Sequence, residues 1–337
     1  MDWGAATARA RGLATHLLDR GALLHAAEAG SWQAAARTLA AHGYPGPEQG
    51  IPPTQEEFDR AAGRLVARRF ALLDRWLGAR RGCLAVLSEE AEYRAVRRLL
   101  RGAAQGASPG ARLGGITPTA GLPERALRLL ARAESPAQLA RALIRLGHPA
   151  GRALELAGAG PNPASLWRLE AALARLFALR ATRAARPAGR AVRQFAALLV
   201  DLQNVEALLL RKEWGPELPD DAMFLPGGLV LDRDRFVAAA RLDPADMSPA
   251  LAGWFAPGPL AALLAKGSGP RDFEGRALAT LLDWLHRERK RDALGPAGLL
   301  EILERIRAEA HDVRLVTRAA SLGAPAGTIA AALVTPA

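Results

Sequence analysis

The 337-residue sequence predicts an all-α protein built from three pseudo-repeated helical domains. Three observations carry that expectation. Ala, Leu and Arg dominate the chain, and all three are strong helix formers. Alternation of apolar and polar residues is scarce, and the best strand candidates, Leu84 to Leu87 and Leu229 to Leu231, are too short to compete with the helical pattern. One helical pattern also recurs three times at a nearly constant interval.

The clearest copy runs from Glu92 to Gly106 as E-Y-R-A-V-R-R-L-L-R-G-A-A-Q-G. The second runs from Asp201 to Gly215 as D-L-Q-N-V-E-A-L-L-L-R-K-E-W-G, and the third from Glu309 to Gly323 as E-A-H-D-V-R-L-V-T-R-A-A-S-L-G. Each has an acid, a valine four residues later and a glycine fourteen residues after the acid. The acid and the valine share a helix face one turn apart. Val96, Leu99 and Leu100 continue an apolar stripe, as do Val205, Leu208 and Leu209. The glycine stands where a left-handed C-terminal cap ends a helix. The copies begin 109 and 108 residues apart, which a chance run of amphipathic helices does not explain.

Two further elements recur in the same order. Ser31-Trp32…Leu39…Gly43-Tyr44-Pro45 matches Ser135-Pro136…Leu143…Gly147-His148-Pro149, and a blurred third copy begins at Ser248-Pro249. Both clear copies read as an N-cap serine, a short helix and a Gly-X-Pro stop. A long helix with an acid near its start follows, from about Glu57, Glu170 and Glu274. The repeat boundaries fall in Gly- and Pro-rich stretches, giving 1–112, 113–223 and 224–337 as the three helical repeats. Each is large enough for a small core. Arg180 to Arg193, with Pro187, reads as a helix break with a solvated basic surface.

Lys and Arg number 45 against 34 Asp and Glu, a formal charge of +11. That directs attention to acidic partners: nucleic acid, an anionic membrane surface or an acidic protein. Lysine occurs only at Lys212, Lys266 and Lys290, so nearly all the charge is arginine, as a GC-rich coding sequence tends to produce. Cys83 is the only cysteine, so neither an intrachain disulfide nor a thiolate zinc site can form, and a reducing compartment is expected. Met1-Asp2-Trp3 lacks the basic-then-apolar opening of a signal peptide. Met247 to Ala265 is uncharged and about as long as a membrane span. Pro249, Pro257 and Pro259 break it, so it reads as a buried helix-turn-helix, and membrane association would be peripheral.

Catalytic motifs are missing. The Lys266 segment lacks the leading glycine of a phosphate loop, and Gly158-Ala159-Gly160-Pro161 is a proline-broken turn rather than a dinucleotide fingerprint. The six histidines are scattered without metal spacing. Gly106-Ala107-Ser108-Pro109-Gly110 matches Gly-X-Ser-X-Gly, but a helix precedes it and Pro109 has no N–H to serve an oxyanion hole. It reads as a linker turn. Neither a catalytic residue, a cofactor nor a metal is expected. No zinc finger, RNP motif or aromatic-interleaved arginine stripe supports nucleic-acid binding. A basic helical nucleic-acid-binding protein is the alternative that the charge alone suggests, and an enzyme with an unrecognised helical site is a third.

Asp201-Leu202-Gln203-Asn204-Val205…Leu210-Arg211-Lys212, followed by Phe224-Leu225-Pro226-Gly227-Gly228, resembles the D-x-x-N…L-R…P-G-G pattern of the V-type ATP synthase C-subunit family, whose eukaryotic counterpart is the d subunit of the vacuolar ATPase. The run Gly295-Pro296…Leu300-Glu301-Ile302…Glu309…Asp312-Val313-Arg314-Leu315…Ile329…Leu333 looks like that family's final helix-turn-helix, and Ala8-Arg9-Ala10-Arg11-Gly12-Leu13…Leu17-Leu18 is similar to its opening helix. Asp312 stands where the family commonly has Asn, and Ala95 holds that place in the first copy. The resemblance implies a funnel of three similar domains around a pseudo-threefold axis. It implies a non-catalytic subunit on the cytoplasmic face of the cell membrane, joining the central shaft subunits to the membrane proteolipid ring and transmitting torque for proton or sodium transport. Nucleic acid would not be a partner. Asp201, Asn204, Arg211, Glu309 and Arg318 are the candidate partner-binding residues of the cavity wall; the competing reading is that they cap helices or pair within a domain.

Overall fold

The computed structural model describes residues 3–45, 54–78, 82–158, 166–214, 219–265, 270–293 and 295–336. No strand occurs among them. The helices, in chain order, are α1 (Trp3–Ala14), α2 (Arg20–Ala27), α3 (Trp32–Ala41), α4 (Gln55–Leu77), α5 (Gly82–Ala104), α6 (Pro109–Leu113), α7 (Glu124–Leu130), α8 (Pro136–Arg145) and α9 (Pro149–Leu156). There follow α10 (Leu166–Ala185), α11 (Arg190–Trp214), α12 (Arg233–Arg241), α13 (Pro244–Phe255), α14 (Pro259–Ala265), α15 (Pro270–Arg291), α16 (Ala297–Ser321) and α17 (Ala326–Ala332). A 3-10 turn, Arg186–Ala188, separates α10 from α11.

Local chemistry sets most of these boundaries. The side chains of Asp19, Ser31, Thr54, Ser135 and Asp232 each accept a hydrogen bond from the backbone N–H three residues on, satisfying a donor that the helix itself leaves unpaired. Helices α5 and α16 run out at Gly106 and Gly323, with φ of 66° and 68°, in the left-handed region that glycine enters without strain. The corresponding Gly215 lies outside the described residues, as do residues 159–161 and 266–269 of the two glycine-containing turns.

Neither of the two short strand candidates is a strand. Leu84 to Leu87 lies inside α5, where three of the four residues face the core. Leu229 to Leu231 is irregular chain ahead of α12, its N–H groups bonded to the Asp201 carboxylate. Ser108 caps α6 by accepting from the Ala111 N–H at 3.2 Å, so the Gly-X-Ser-X-Gly match is a turn and a cap. Met247 to Ala265 folds as the end of α13, a turn and α14, with Leu251, Phe255, Leu260 and Leu263 buried. No described helix is long and apolar enough to cross a membrane.

The chain forms two compact units. The first comprises Met1–Ala79, Leu113–Pro118 and Leu281–Ala337. Its centre is α16, which packs against α1, α2, α3, α4 and α17. Leu23, Leu39, Phe58, Val313, Val316 and Ile329 fill the core. Burying each large side chain contributes about 1.5–3 kcal/mol. The last long helix is therefore completed by the first helices of the chain.

The second unit comprises Arg80–Arg112 and Thr119–Thr280. Here α5 lies along α10, with Tyr93 stacked on Phe177 at 5.3 Å between ring centroids. Helix α8 packs against α5 and α9. Helix α11 packs against α10 and α12, and Phe224 meets Phe236 at 5.5 Å ahead of and within α12. The arginine-rich stretch breaks at the 3-10 turn as expected, and Gly189, with φ of 96°, turns the chain into α11.

Candidate functional site: three buried acids and the loops they hold

The three repeated acids are all buried: Glu92 on α5, Asp201 on α11 and Glu309 on α16. Each holds the chain that leads into a short helix. Asp201 Oδ2 accepts the N–H groups of Leu229 at 2.7 Å and Val230 at 3.1 Å, and Oδ1 accepts that of Leu231 at 3.1 Å. Glu309 Oε1 accepts the Leu18 N–H at 2.7 Å, and Oε2 pairs with Arg69 of α4. Arg69 donates its other amino group to the His16 carbonyl at 3.1 Å, so an acid and a base grip the same α1–α2 connection. Glu92 accepts from the Thr119 hydroxyl at 2.8 Å, and His148 Nε2 lies 3.2 Å from its other oxygen.

The held segments end alike. Leu18, Leu122 and Leu231 are each buried and each directly precede the N-cap position of the next helix, at Asp19, Pro123 and Asp232. Glycine makes room for two of the acids. A β-carbon on Gly228 would overlap the Asp201 carboxylate, and one on Gly121 would overlap that of Glu92.

A second polar residue, one turn further along, fixes another stretch in two copies. Asn204 Nδ2 donates to the Leu225 carbonyl at 2.9 Å and its Oδ1 accepts the Leu225 N–H at 2.8 Å. The side chain thus pairs with both backbone groups of one residue, as a neighbouring strand would. Asp312 accepts from Val334 and Thr335 N–H at 2.9 and 2.7 Å, fastening the segment after α17. An acid serves here because both partners are donors, whereas Leu225 offers one donor and one acceptor. Ala95 has no polar group to offer.

Environment separates the three carboxyls. Burial pushes Asp201 up to about 6, even against its three N–H bonds. Burial also raises Glu309, with Arg69 and the Leu18 bond opposing. Burial would raise Glu92 too, but the bonds from His148 and Thr119 outweigh it and hold that carboxyl below its ordinary value. Burial pushes the Cys83 thiol up to about 12, which leaves it un-ionised and unreactive.

Arginines on the same helices tie down the long neighbours. Arg318 of α16 pairs with the buried Asp59 of α4 at 2.6 Å. Arg97 and Arg101 of α5 pair with the buried Glu170 of α10 at 2.8 and 2.5 Å. In α4 this place belongs to Asp59 and not to the expected Glu57, whose N–H donates to the capping Thr54 hydroxyl while its carboxylate accepts from that hydroxyl. Glu274 of α15 pairs with Arg94 of α5. Arg211 of α11 turns to Asp220 at 2.7 Å, and Arg241 shares that acid.

The candidate residues thus occupy distinct places. Asp201, Asn204 and Glu309 are internal and hold loops, while Arg211 and Arg318 make ion pairs. The sequence pattern contained Glu92 as well, but Thr119, His148, Arg69 and Asp59 carry no local signal, because their partners lie far away in the chain. Among the described residues no group of three His, Cys, Asp or Glu side chains is placed to hold a metal. A surface hollow of about 580 Å³ is lined by Asp220, Asp221, Arg233, Asp234 and Arg241, with Asp220 and Asp221 already bound to arginines.

The model of the ATP synthase (C/AC39) subunit family matches residues 6–332, nearly the whole chain and all three buried acids. The chain belongs to this family. It is also similar to the V-type ATP synthase C subunits of two strains of Thermus thermophilus, with 32% identity over 218 residues in each case. Those alignments span 64% of this chain and 64% of each relative. For this member of the C/AC39 family, the D-x-x-N…P-G-G segment is the stretch in which Asp201, Asn204 and Gly228 meet around one loop.

Proposed function

We propose that this chain is the non-catalytic coupling subunit of a rotary V/A-type ATPase or ATP synthase. It joins the central rotor shaft to the membrane proteolipid ring and transmits torque for proton or sodium transport, as a peripheral subunit on the cytoplasmic face. The family match over residues 6–332 carries this reading. The names of the two Thermus relatives support it. In the proposed arrangement the repeats 1–112, 113–223 and 224–337 form a funnel around a pseudo-threefold axis.

Physical features favour a mechanical role. A torque-bearing element needs loops that do not slip against helices, and the buried acids Glu92, Asp201 and Glu309 each fix one by hydrogen bonds. Ion pairs such as Arg318–Asp59 and Arg101–Glu170 join long helices within each unit. In this reading Asp201, Asn204 and Glu309 bear on the partners through the loops they hold, Arg318 stands at the surface of α16, and Arg211 acts through its ion pair with Asp220. The test is recovery of a tagged chain from native membranes. Co-purification of rotary ATPase shaft and ring subunits is expected; recovery of nucleic acid without them would replace this reading with the alternative one.

A further inference from the structure

We propose that the elbow between α10 and α11 is an adsorption surface for anionic phospholipid headgroups. Between Glu170 and Asp201 the chain has no acidic residue and six arginines: Arg175, Arg180, Arg183, Arg186, Arg190 and Arg193. Arg180 is neutralised by Glu89. Arg175, Arg183, Arg186, Arg190 and Arg193 are exposed, and Arg183, Arg186 and Arg190 make no side-chain hydrogen bond or ion pair among the described residues. Arg193 reaches only the Arg186 carbonyl, at 3.4 Å. This contrasts with the interior of both units, where arginines regularly find carboxylates.

The placement is electrostatically unfavourable for the isolated chain. Arg190 and Arg193 stand in the first turn of α11, a 25-residue helix with no acid in that turn, so they face the positive end of its dipole. Arg183 adds like charge from the end of α10 and Arg186 from the 3-10 turn that follows. An outside polyanion relieves that repulsion.

The composition of the ridge selects the kind of polyanion. Arg175, Leu179 and Arg183 share one face of α10 at four-residue spacing, and Leu179 is 67% exposed. It is the only large apolar side chain exposed along the ridge. A protein interface requires a desolvated apolar or aromatic centre, which one leucine among arginines does not provide. Adsorption to a charged bilayer needs only clustered basic groups and a small apolar contact at headgroup depth. Arginine also bonds phosphate in a bidentate manner.

The experiment is co-sedimentation of the full-length chain with vesicles of phosphatidylcholine alone or with about 30% phosphatidylserine. The natural chain is expected to bind the anionic vesicles preferentially and to release as salt rises from about 50 to about 300 mM. Each arginine near such a surface adds about fivefold to partitioning, so R183Q/R186Q/R190Q/R193Q is expected to lower it at least about 50-fold. A control variant, R125Q/R132Q/R141Q/R145Q, removes equal charge from exposed positions on and around α7 and α8 and is expected to lose far less. Circular dichroism melting verifies that both variants fold. Equal losses in the two variants, or binding indifferent to lipid charge, would overturn the proposal. So would a ridge variant that keeps its vesicle binding while losing other ATPase subunits in a pull-down, since the ridge would then be a protein contact. The inference stands on charge placement and is read first on vesicle binding, which the coupling role does not require, so its failure leaves that role untouched.

Discussion

Gly228 lies against the carboxylate of Asp201 with no room for a β-carbon between them. The acid is thereby able to reach three consecutive N–H groups, those of Leu229, Val230 and Leu231. Gly228→Ala is expected to destabilise the protein by about 1–3 kcal/mol, because either the loop or the acid must move from a packed site. Gly121→Ala, against Glu92, is expected to act in the same direction. Urea unfolding of both variants measures this; stability equal to that of the natural chain would show that the contacts are loose.

Removing Asp201 altogether is expected to be worse than crowding it. Asp201→Ala removes the shared acceptor of three N–H groups, that of the buried Leu231 among them, at a cost of about 3 kcal/mol or more. Asn204→Ala releases one donor and one acceptor of Leu225, at a cost of about 1–3 kcal/mol. Amide hydrogen exchange locates the effect, with lost protection expected at residues 229–231 for the first and at Leu225 for the second.

Asp201 and Glu92 are expected to give opposite pH dependences. The Asp201 carboxyl is raised to about 6, so between that pH and its unfolded value the folded state holds the proton more readily. Its contribution to stability therefore increases as pH falls from 7 toward 4, and Asp201→Asn is expected to lose that slope. Glu92 is lowered, so its contribution is present above its ordinary value of 4.5 and is lost as pH falls through its folded value. Glu92→Gln is expected to flatten the acid limb. Paired thermal melts across pH 3–7 separate the two signs.

The grip on the α1–α2 connection is expected to be cooperative. Glu309→Ala strands Arg69, and Arg69→Ala strands Glu309, in a buried site. Each is expected to cost about 3–5 kcal/mol. The double substitution is expected to cost less than the sum by at least about 1 kcal/mol, since the second change removes a group already left without its partner. Additive losses in a double-mutant cycle would mean that the two residues act separately.

Local signals made much of this fold readable. The acid–valine spacing identified α5, α11 and α16, and Gly106 and Gly323 marked two of their ends. Ser31 and Ser135 announced α3 and α8 through their capping oxygens. The run Leu84 to Leu87 is ambiguous taken alone, since four apolar residues fit a buried helix as well as a strand. Remote partnerships were illegible. Arg69 meets Glu309 across 240 residues, and the segments ending in Leu18, Leu122 and Leu231 share little besides that leucine. Nor does sequence order show that α16 is completed by α2, α3 and α4 at the opposite end of the chain. The acids were visible as a repeat; their task of holding loops depended on contacts that helical periodicity does not encode.

The most direct test of the coupling role is ion transport by the rotary complex in vesicles, measured beside its ATP hydrolysis, with and without this chain. Hydrolysis that continues while ATP-driven transport disappears, and returns when the chain is added back, is the expected result. Transport per ATP that is unchanged in the chain's absence would contradict it.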